Sequence, residues 1–458
     1  MSGSQLARAI FGARRLALLG ALALLLAAPV AACAAGGPAP PTAVPSHVPT
    51  WAYDDGCNGG TGASARLVRA WLSFAESDCG PRDHKAARNC RSRHATFCAI
   101  VQYLDATWIY ADGGVPIRGA ARESWWLHQP GYHDAAHRIS ASNYGGGTLL
   151  NQDSAAARAW FRRYLRRHYN EYTGLLMDNE AASLSAELYH AGLRSSDEIR
   201  TNRALQAAHR RMAAALTHRN GQPFLQIDNA LDPNPYLTTP FGMLDRGTGV
   251  QGLMVEDAPF AGGTIAPYYS NLLDEIASVD ARPHAFLVIV SYDTSGSLQA
   301  RRVQAATEWL GYAGTHLVSW AALETTNQHL AVWPEDGIVP TEPLQTMSRP
   351  RGAGCLAGRG KLCHRGGHLR LQVAPGVYRR EFANCFDRKV PFGQCAAIVN
   401  TTGSPVTVRA SWLHQAYSHQ ITMAGGDVQS GGRVELAAEP FAAGTSVVPP
   451  NDALLLSR

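Results

Sequence analysis

Charge is scarce in this chain of 458 residues, of which Asp, Glu, Lys and Arg make up 17%. The formal net charge is +5, and three of the positive charges, Arg8, Arg14 and Arg15, lie in an N-terminal segment without acids, whose removal leaves about +2. A nucleic-acid-binding protein needs a concentrated basic face, so this charge argues against a nucleic-acid partner. A chain with 46% hydrophobic residues is also too apolar for a disordered protein.

The chain also lacks the cysteine spacing of a zinc site, because no closely spaced pair is backed by a paired histidine motif. Apart from Cys33, the cysteines form two groups of four: Cys57, Cys79, Cys90 and Cys98, then Cys355, Cys363, Cys385 and Cys395. An even number in an exported chain indicates disulfides. Proximity favours pairing Cys79 with Cys90, Cys57 with Cys98, Cys355 with Cys363 and Cys385 with Cys395, although each group of four allows three pairings. No metal ion or other cofactor is predicted.

The N-terminus has the order of an export signal. Arg14 and Arg15 precede an uncharged apolar run over residues 16–30, which ends on small residues. The sequence Val-Ala-Ala-Cys at 30–33 resembles the cleavage site of bacterial lipoprotein signals, and this resemblance implies that Cys33 becomes the lipidated mature N-terminus. The folded body would then stand beside the bacterial membrane, on the periplasmic or extracellular side, held only by its lipid. A plain secretory signal is the alternative.

Composition and pattern divide the chain into four parts. Residues 1–32 are the predicted signal, and residues 33–49, rich in Ala, Gly and Pro, predict a flexible tether. Residues 50–345 are the predicted barrel domain. Short alternating runs with frequent turns make residues 346–458 a cysteine-containing linker and a small antiparallel β-sandwich domain.

Within residues 50–345, apolar runs of strand length alternate with helical patterns. Eight runs predict strands: 51–55, 97–105, 124–128, 174–180, 223–229, 250–257, 285–292 and 315–320. Helices are predicted between several of them, including residues 64–77, whose apolar stripe contains Phe74. Eight strands alternating with helices over this length predict a (β/α)8 barrel, the TIM-barrel fold.

Carboxylates follow two of these runs in pairs. Asp178 and Glu180 follow the fourth predicted strand, and Glu256 and Asp257 follow the sixth. In a barrel the carboxyl ends of the strands converge on one cleft. A glycosidic bond is cleaved by two carboxyl groups, one as proton donor and one as nucleophile or base. These four residues are the predicted catalytic set, although any single one could simply cap the following helix.

Other acids and aromatic residues near the strand ends are predicted to bind the substrate: Asp54, Asp105, Trp125, Trp126, Asp228, Tyr292, Asp293 and Trp320. The acids would bind sugar hydroxyls, and the rings would offer flat apolar faces to the sugar. His128, His133 and His137 are spaced like loosely set metal ligands, but they lie in an irregular loop, and no metal site is predicted there.

Two resemblances extend this interpretation. Residues 174–179, with 125–128, 254–257 and 377–382, resemble blocks of the glycoside-hydrolase-like family 15 proteins, in the same order, over most of the chain after residue 50. That resemblance implies a barrel followed by a β-domain. The acids also resemble those of the α-galactosidase-type clan, which implies Asp178 as nucleophile and Asp257 or Glu256 as proton donor. The doubled acids depart from that clan and leave the roles within each pair open.

The sequence therefore predicts an exported, lipid-anchored glycoside hydrolase whose partner is a polysaccharide or oligosaccharide substrate. The alternative is a non-catalytic carbohydrate-binding surface lipoprotein on the same fold, because a fold does not guarantee an activity. The doubled carboxylates favour catalysis, since binding alone does not need two of them across a cleft.

Overall fold

A computed structural model describes part of the chain, all of it within one compact unit, Pro38–Arg458. The described residues are 51–54, 74–77, 99–105, 108–109, 117, 120–129, 131–141, 147–170, 172, 174–178, 207–208, 211–231, 250–255, 259–261, 263–265, 268–280, 286–291, 297–311, 318–322, 334–347, 368–387, 390–424 and 435–458. For some strand residues only the backbone is described.

The described elements are numbered in chain order. The strands of the first part are β1 (Trp51–Asp54), β2 (Phe74–Ser77), β3 (Ala99–Asp105), β4 (Trp108–Ile109), β5 (Ser140–Ala141), β6 (Gly147–Leu149), β7 (Gly174–Asp178), β8 (Leu225–Leu231), β9 (Val250–Val255), β10 (Phe260–Ala261), β11 (Thr264–Ile265), β12 (Phe286–Ser291) and β13 (Val318–Ala322). The strands of the second part are β14 (Ile338–Pro343), β15 (Gln372–Ala374), β16 (Val377–Asp387), β17 (Val390–Asn400), β18 (Val406–Thr407), β19 (His419–Ala424), β20 (Glu435–Pro440), β21 (Val447–Val448) and β22 (Asp452–Ser457). The α-helices are α1 (Ala155–His168), α2 (Tyr269–Asp280) and α3 (Leu298–Gly311). None of the described helices is long and apolar enough to cross a membrane.

The first part is built on an eight-stranded parallel sheet in the order β1-β2-β3-β7-β8-β9-β12-β13. This confirms the prediction of eight parallel strands. Residues 174–177 of β7 and residues 252–255 of β9 are buried, which explains why these strands are nearly continuous apolar runs. The two strands at the ends of this order, β1 and β13, approach each other to within 8 Å between Cα atoms.

The predicted strand list was wrong at two places. Residues 74–77, assigned to the end of a helix, form β2, because parallel pairing between β1 and β3 outweighs a short helical spacing. Residues 124–128 are not a strand of the sheet. Glu123–Trp125 is a 3₁₀ helix, and Trp126 and His128 form only isolated antiparallel bridges in the connection between β3 and α1. The two errors compensate, so β7 and β9 remain the fourth and sixth strands.

The sequence predicts a helix here that Asp153 or Ser154 can cap, with Trp160, Phe161, Tyr164 and Leu165 in its inward stripe, and α1 confirms that helix. The hydroxyl of Ser154 accepts a hydrogen bond from the amide of Ala157 at 3.3 Å and caps the helix. Phe161 and Leu165 are fully buried on its inner face. They pack against Leu175 of β7, so this stripe anchors the helix to the sheet.

Gly174 begins β7 because no other residue fits there. A Cβ atom at this position would lie 2.1 Å from the carbonyl oxygen of Leu225 and 2.7 Å from its Cβ. Gly174 and Leu225 are register partners in β7 and β8, so the absence of a side chain allows the two strands to approach closely.

The second part contains a seven-stranded antiparallel sheet in the order β14-β16-β17-β22-β19-β20, with β15 also paired to β16. Its central strands are apolar on both faces. On β17, Ala397 and Val399 belong to a cluster shared with α2 and α3, whereas Ala396 and Ile398 belong to a second cluster around Trp412. The sheet therefore separates two cores, and this explains why its period-two pattern is hydrophobic at both positions.

One continuous core joins the two sheets. It contains side chains from β9, β12, α2 and α3 and from β16, β17, β19 and β22. The guanidinium of Arg302 on α3 also pairs with the carboxylate of Asp452 on β22, at 2.9 and 2.5 Å. Arg380 on β16 donates to the carbonyl oxygen of Leu310, near the end of α3, at 2.6 Å. The antiparallel sheet thus packs directly on the helices of the parallel one.

The disulfide between Cys385 and Cys395 confirms one predicted pairing. It links β16 to β17, with 6.0 Å between the Cα atoms, and both residues are fully buried. The other six cysteines that are predicted to pair, and Cys33, lie outside the described residues.

Replacing Cys385 and Cys395 together by alanine is expected to lower the free energy of unfolding by about 3 kcal/mol. The bond closes a loop of 10 residues, and its loss restores the conformational entropy of that loop in the unfolded chain. Urea unfolding of the parent and the double variant measures the difference. A loss below about 1 kcal/mol would show that the bond does not constrain the unfolded chain as expected.

Candidate active site

Two aspartates lie side by side at the carboxyl edge of the parallel sheet. Asp105 is the last residue of β3 and Asp178 the last residue of β7, and the two are register partners. Neighbouring strands are about 4.8 Å apart, so these two positions are as close as adjacent strands allow. Asp54 ends β1 at the same edge, in register with Ser77 of β2. Three of the predicted carboxylates therefore mark one edge.

The alternation of the strands shows which face these positions occupy. Leu104, Leu175 and Met177 are buried in the cluster around α1, so they face the helices. Successive residues of a strand point to opposite faces. The positions of Asp105 and Asp178 are therefore on the face turned away from the helices.

The strand register places Asp228, another predicted site residue, on the opposite face of the sheet. Asp228 of β8 is partnered by Met177 and Leu253, which both face helices, and its own exposed fraction is 0%. The next residue, Asn229, is partnered by Met254 on the other face, next to a β-bulge in the pairing with β9. Asn229, which the sequence suggests as a turn residue and not as a site residue, is thus the residue of this pair on the face of Asp178. Its only signal in the sequence was its place after an aspartate.

Position 320 also lies on the helix-facing side. Trp320 of β13 is the register partner of Ile289, which is fully buried in the cluster with α2 and α3. Its backbone is described but its side chain is not, as is the case for Asp54, Asp105 and Asp178. The predicted residues Glu180, Glu256, Asp257, Tyr292 and Asp293 lie outside the described residues.

A small module lies in the chain between the carboxyl end of β3 and the start of α1. It consists of the three-stranded antiparallel sheet β4-β6-β5 and two 3₁₀ helices, Glu123–Trp125 and Ala135–His137. Trp125 and Trp126 are 6% and 4% exposed and pack in the same cluster as Phe161. Their burial makes them core residues of this module, with little ring surface left for a sugar.

Glu123 joins two other residues of the module, Arg138 and His128, through its carboxylate. Its carboxylate accepts hydrogen bonds from Arg138 Nε at 2.7 Å and from Nε2 of the largely buried His128 at 2.8 Å, and Arg138 Nη2 makes a further contact. The hydrogen bonds from Arg138 and then from His128 lower the pKa of Glu123 from 4.5 to about 2. A carboxylate with that pKa stays ionised at neutral pH, so Glu123 has a structural role and does not act as a proton donor.

We expect Glu123 to titrate near pH 2 in the folded protein. Because its folded pKa is lowered, the ion pair stabilises the module above the unfolded pKa of about 4.5 and loses this effect as the pH falls towards 2. Carbon-13 NMR of the glutamate carboxyl groups measures the titration. In the Arg138→Gln variant the pKa should move back towards 4.5, and a parent Glu123 that already titrates there would contradict the assignment.

Among the described residues, no group of three or more His, Cys, Asp or Glu side chains is placed to hold a metal ion. His137 instead pairs with Asp134 at 2.8 Å and stacks on Tyr132, with 3.7 Å between ring centroids. His128 is occupied by Glu123.

No protein-family model matches the chain, and no curated protein matches it in sequence. Among solved structures, the glycoside hydrolase domain of PelA from Pseudomonas aeruginosa shares 14% identity, covers 62% of this chain and 97% of its own, and gives a TM-score of 0.37. Aspergillus fumigatus Ega3, in complex with galactosamine, shares 12% identity over 62% of this chain and 93% of its own, with a TM-score of 0.37. A variant of the GH36 α-galactosidase AgaA from Geobacillus stearothermophilus shares 10% identity over 90% of this chain and 55% of its own, with a TM-score of 0.41. Likenesses of this size are too low to assign a function.

Proposed function

We propose that this chain is an exported, lipid-anchored glycoside hydrolase that acts on a polysaccharide or oligosaccharide with carboxylates at the carboxyl edge of its parallel sheet. The observation that carries the proposal is the register of Asp105 and Asp178. Two acids at neighbouring strand ends, on the face away from the helices, are costly to keep together unless the cleft uses them. A purely structural role would be met by one helix-capping carboxylate.

In this proposal Asp178 is the nucleophile, and Glu256 or Asp257 is the proton donor. Glu180, which follows the same strand as Asp178, is the alternative nucleophile. The strand β9 is the second neighbour of β7, about 10 Å away across β8. Carboxylates that reach inward from these two ends can stand on opposite sides of a glycosidic bond. Asp105, and Asn229 on β8, the strand between β7 and β9, are suited to bind sugar hydroxyls.

We also propose that the parallel sheet closes into a (β/α)8 barrel over residues 50–345 and that residues 346–458 complete a β-sandwich. The proximity of β1 and β13 supports closure. The second core around Trp412 and Tyr417, opposite α3 across the antiparallel sheet, supports a sandwich. The first strand of the antiparallel sheet, β14, comes soon after the last strand of the parallel sheet, so it lies within residues 50–345. Export by residues 1–32 and lipidation at Cys33 rest on the sequence pattern.

The proposal is tested by the release of new reducing ends from a panel of bacterial and plant polysaccharides. Release by the parent protein establishes a hydrolase, and the active polymer names its substrate class. Binding of a polymer without release would overturn the proposal in favour of a carbohydrate-binding lipoprotein. Mass spectrometry of the exported protein tests the lipid on Cys33 separately.

A further inference from the structure

The solvent face of α1 is a concentrated cationic surface. The helix contains Arg158, Arg162, Arg163, Arg166, Arg167 and His168 and no acid. Its buried stripe, Ala157, Phe161 and Leu165, leaves the arginines from 162 to 167 together on the outer side. Among the described residues, the exposed side chains of Arg162, Arg163 and Arg167 have no acidic partner. We call these three residues and Arg166 the α1 arginine face.

A second segment extends this surface at the C-terminal end of α1. The guanidinium of Arg219 donates to the carbonyl oxygens of Arg166 and Arg167, at 2.9 and 3.2 Å, and Arg166 Nη2 donates to the carbonyl of Arg219 at 3.1 Å. Cations at a helix C-terminus are stabilised by the helix dipole, which accounts for Arg166 and Arg219. It does not account for Arg162 and Arg163, which lie in the middle of the helix.

The place of this surface in the fold is informative. The C-terminal turn of α1 precedes the first residue of β7, Gly174, and Arg219 precedes the first residue of β8, Leu225. Because the strands are parallel, both lie at the amino edge of the sheet, opposite the edge that carries Asp105 and Asp178. A sugar polymer bound at the carboxyl edge would therefore not be the direct partner of the α1 arginine face.

The chain enters the sheet at this same edge. Trp51 is the first residue of β1, and 17 residues lie between it and Cys33. A flexible tether of that length has a root-mean-square span of roughly 25 Å. A lipid on Cys33 would thus keep the amino edge of the sheet within a few nanometres of the membrane surface.

We propose that the α1 arginine face docks on the anionic headgroups of the membrane to which the protein is anchored. The inference rests on the lipid anchor of the proposed function. Basic clusters near a membrane are attracted by anionic lipids. Because the overall charge is only about +2, the attraction to such lipids depends on this local cluster and not on the net charge. Docking through this face, whose C-terminal end lies at the amino edge, leaves the carboxyl edge, with Asp178, farther from the membrane than the amino edge.

The test measures vesicle binding by the compact unit Pro38–Arg458, exported behind a cleavable signal and without the lipid. We expect it to float with vesicles that contain phosphatidylglycerol and not with vesicles of phosphatidylcholine alone, and to dissociate as salt is raised. The triple variant Arg162→Gln, Arg163→Gln, Arg167→Gln should bind on the order of 100-fold more weakly. Equal binding to neutral vesicles, or unchanged binding by this variant, would overturn the proposal.

A matched control removes three exposed arginines elsewhere, Arg122→Gln, Arg370→Gln and Arg458→Gln, and should bind within about twofold of the parent. The variant with lysine at 162, 163 and 167 keeps the charge and should retain binding. If soluble polygalacturonate binds the α1 arginine face more tightly than anionic vesicles do, the face serves a polymer and the proposal is wrong. Reducing-end release by the glutamine variant should equal that of the parent, so failure of docking and failure of the hydrolase proposal are distinguishable.

Discussion

The Asp178→Asn variant is expected to lose at least about 1,000-fold in kcat for the release of reducing ends while it still binds the polymer. Asparagine has nearly the same size and can still accept a hydrogen bond, but it is a poor nucleophile and cannot carry the charge that a glycosyl transition state needs. Removing a group that acts only in the transition state lowers kcat and kcat/KM together, whereas KM should change little.

The matched control is Glu439→Gln, which removes an exposed carboxylate on β20 that, among the described residues, accepts a hydrogen bond only from Gln420, at 3.0 Å. Its activity should remain within about twofold of the parent. An Asp178→Asn protein that folds, binds and keeps more than a tenth of the parent's kcat would remove Asp178 from the catalytic set. A loss confined to KM would make Asp178 a binding residue and would favour Glu256 or Asp257 as the essential acid.

The strand ends could be predicted because buried parallel strands have a strong signal. Runs such as Leu175–Met177 and Leu253–Val255 are apolar at every position and stop at a carboxylate, since both faces of the strand are covered until the edge is reached. The caps and stripes of the helices were equally readable. Ser154, one of the two caps that the sequence allows, is the N-cap of α1.

The register of the strands could not be predicted, and it decides which acid lies on the face turned away from the helices. Asp228 and Asn229 are adjacent in sequence, and only the pairing with Met177 and Met254 shows that Asn229 is on the face of Asp178. A shift of one residue exchanges the two faces. The indole rings of Trp125 and Trp126 had the same ambiguity, because an aromatic pair in an irregular segment suits a sugar platform or a core equally well.

The polar centre of the second sheet was also invisible in the sequence. Arg379, Arg380 and Glu381 are three consecutive charges, a pattern typical of an exposed turn, yet all three are buried in β16. Because successive residues of a strand lie on opposite faces, Arg380 contacts α3, whereas Arg379 and Glu381 contact the loop after Trp412. Apart from the pair that Arg379 and Glu381 form with each other, the partners named here lie more than 30 residues away in the chain, so no local pattern could have revealed those contacts.

Glu381 is the centre of that network. Its fully buried carboxylate accepts from Arg379 Nη1 at 2.6 Å, from the amide of His414 at 2.9 Å and from the hydroxyl of Tyr417 at 3.2 Å. Burial lowers the pKa of Arg379, and burial, followed by the charge of Glu381, raises the pKa of Tyr417. Gln345, beyond β14, donates to the same carboxylate at 3.2 Å. One side chain thus joins three segments of the second sheet.

We therefore expect Glu381→Ala to lower the free energy of unfolding by about 3–5 kcal/mol, because it leaves the buried guanidinium of Arg379 without its carboxylate. The exposed Glu439→Ala on the same sheet is the control and should stay within about 0.5 kcal/mol of the parent. Since the core is continuous from α3 into β16, β17 and β22, the Glu381→Ala protein should unfold in one transition at a lower temperature. Calorimetry measures this transition, and loss of reducing-end release on heating should follow the same curve. Two separate transitions, with activity lost only in the second, would show that the antiparallel sheet unfolds on its own and that the shared core does not couple it to the strand ends of Asp105 and Asp178.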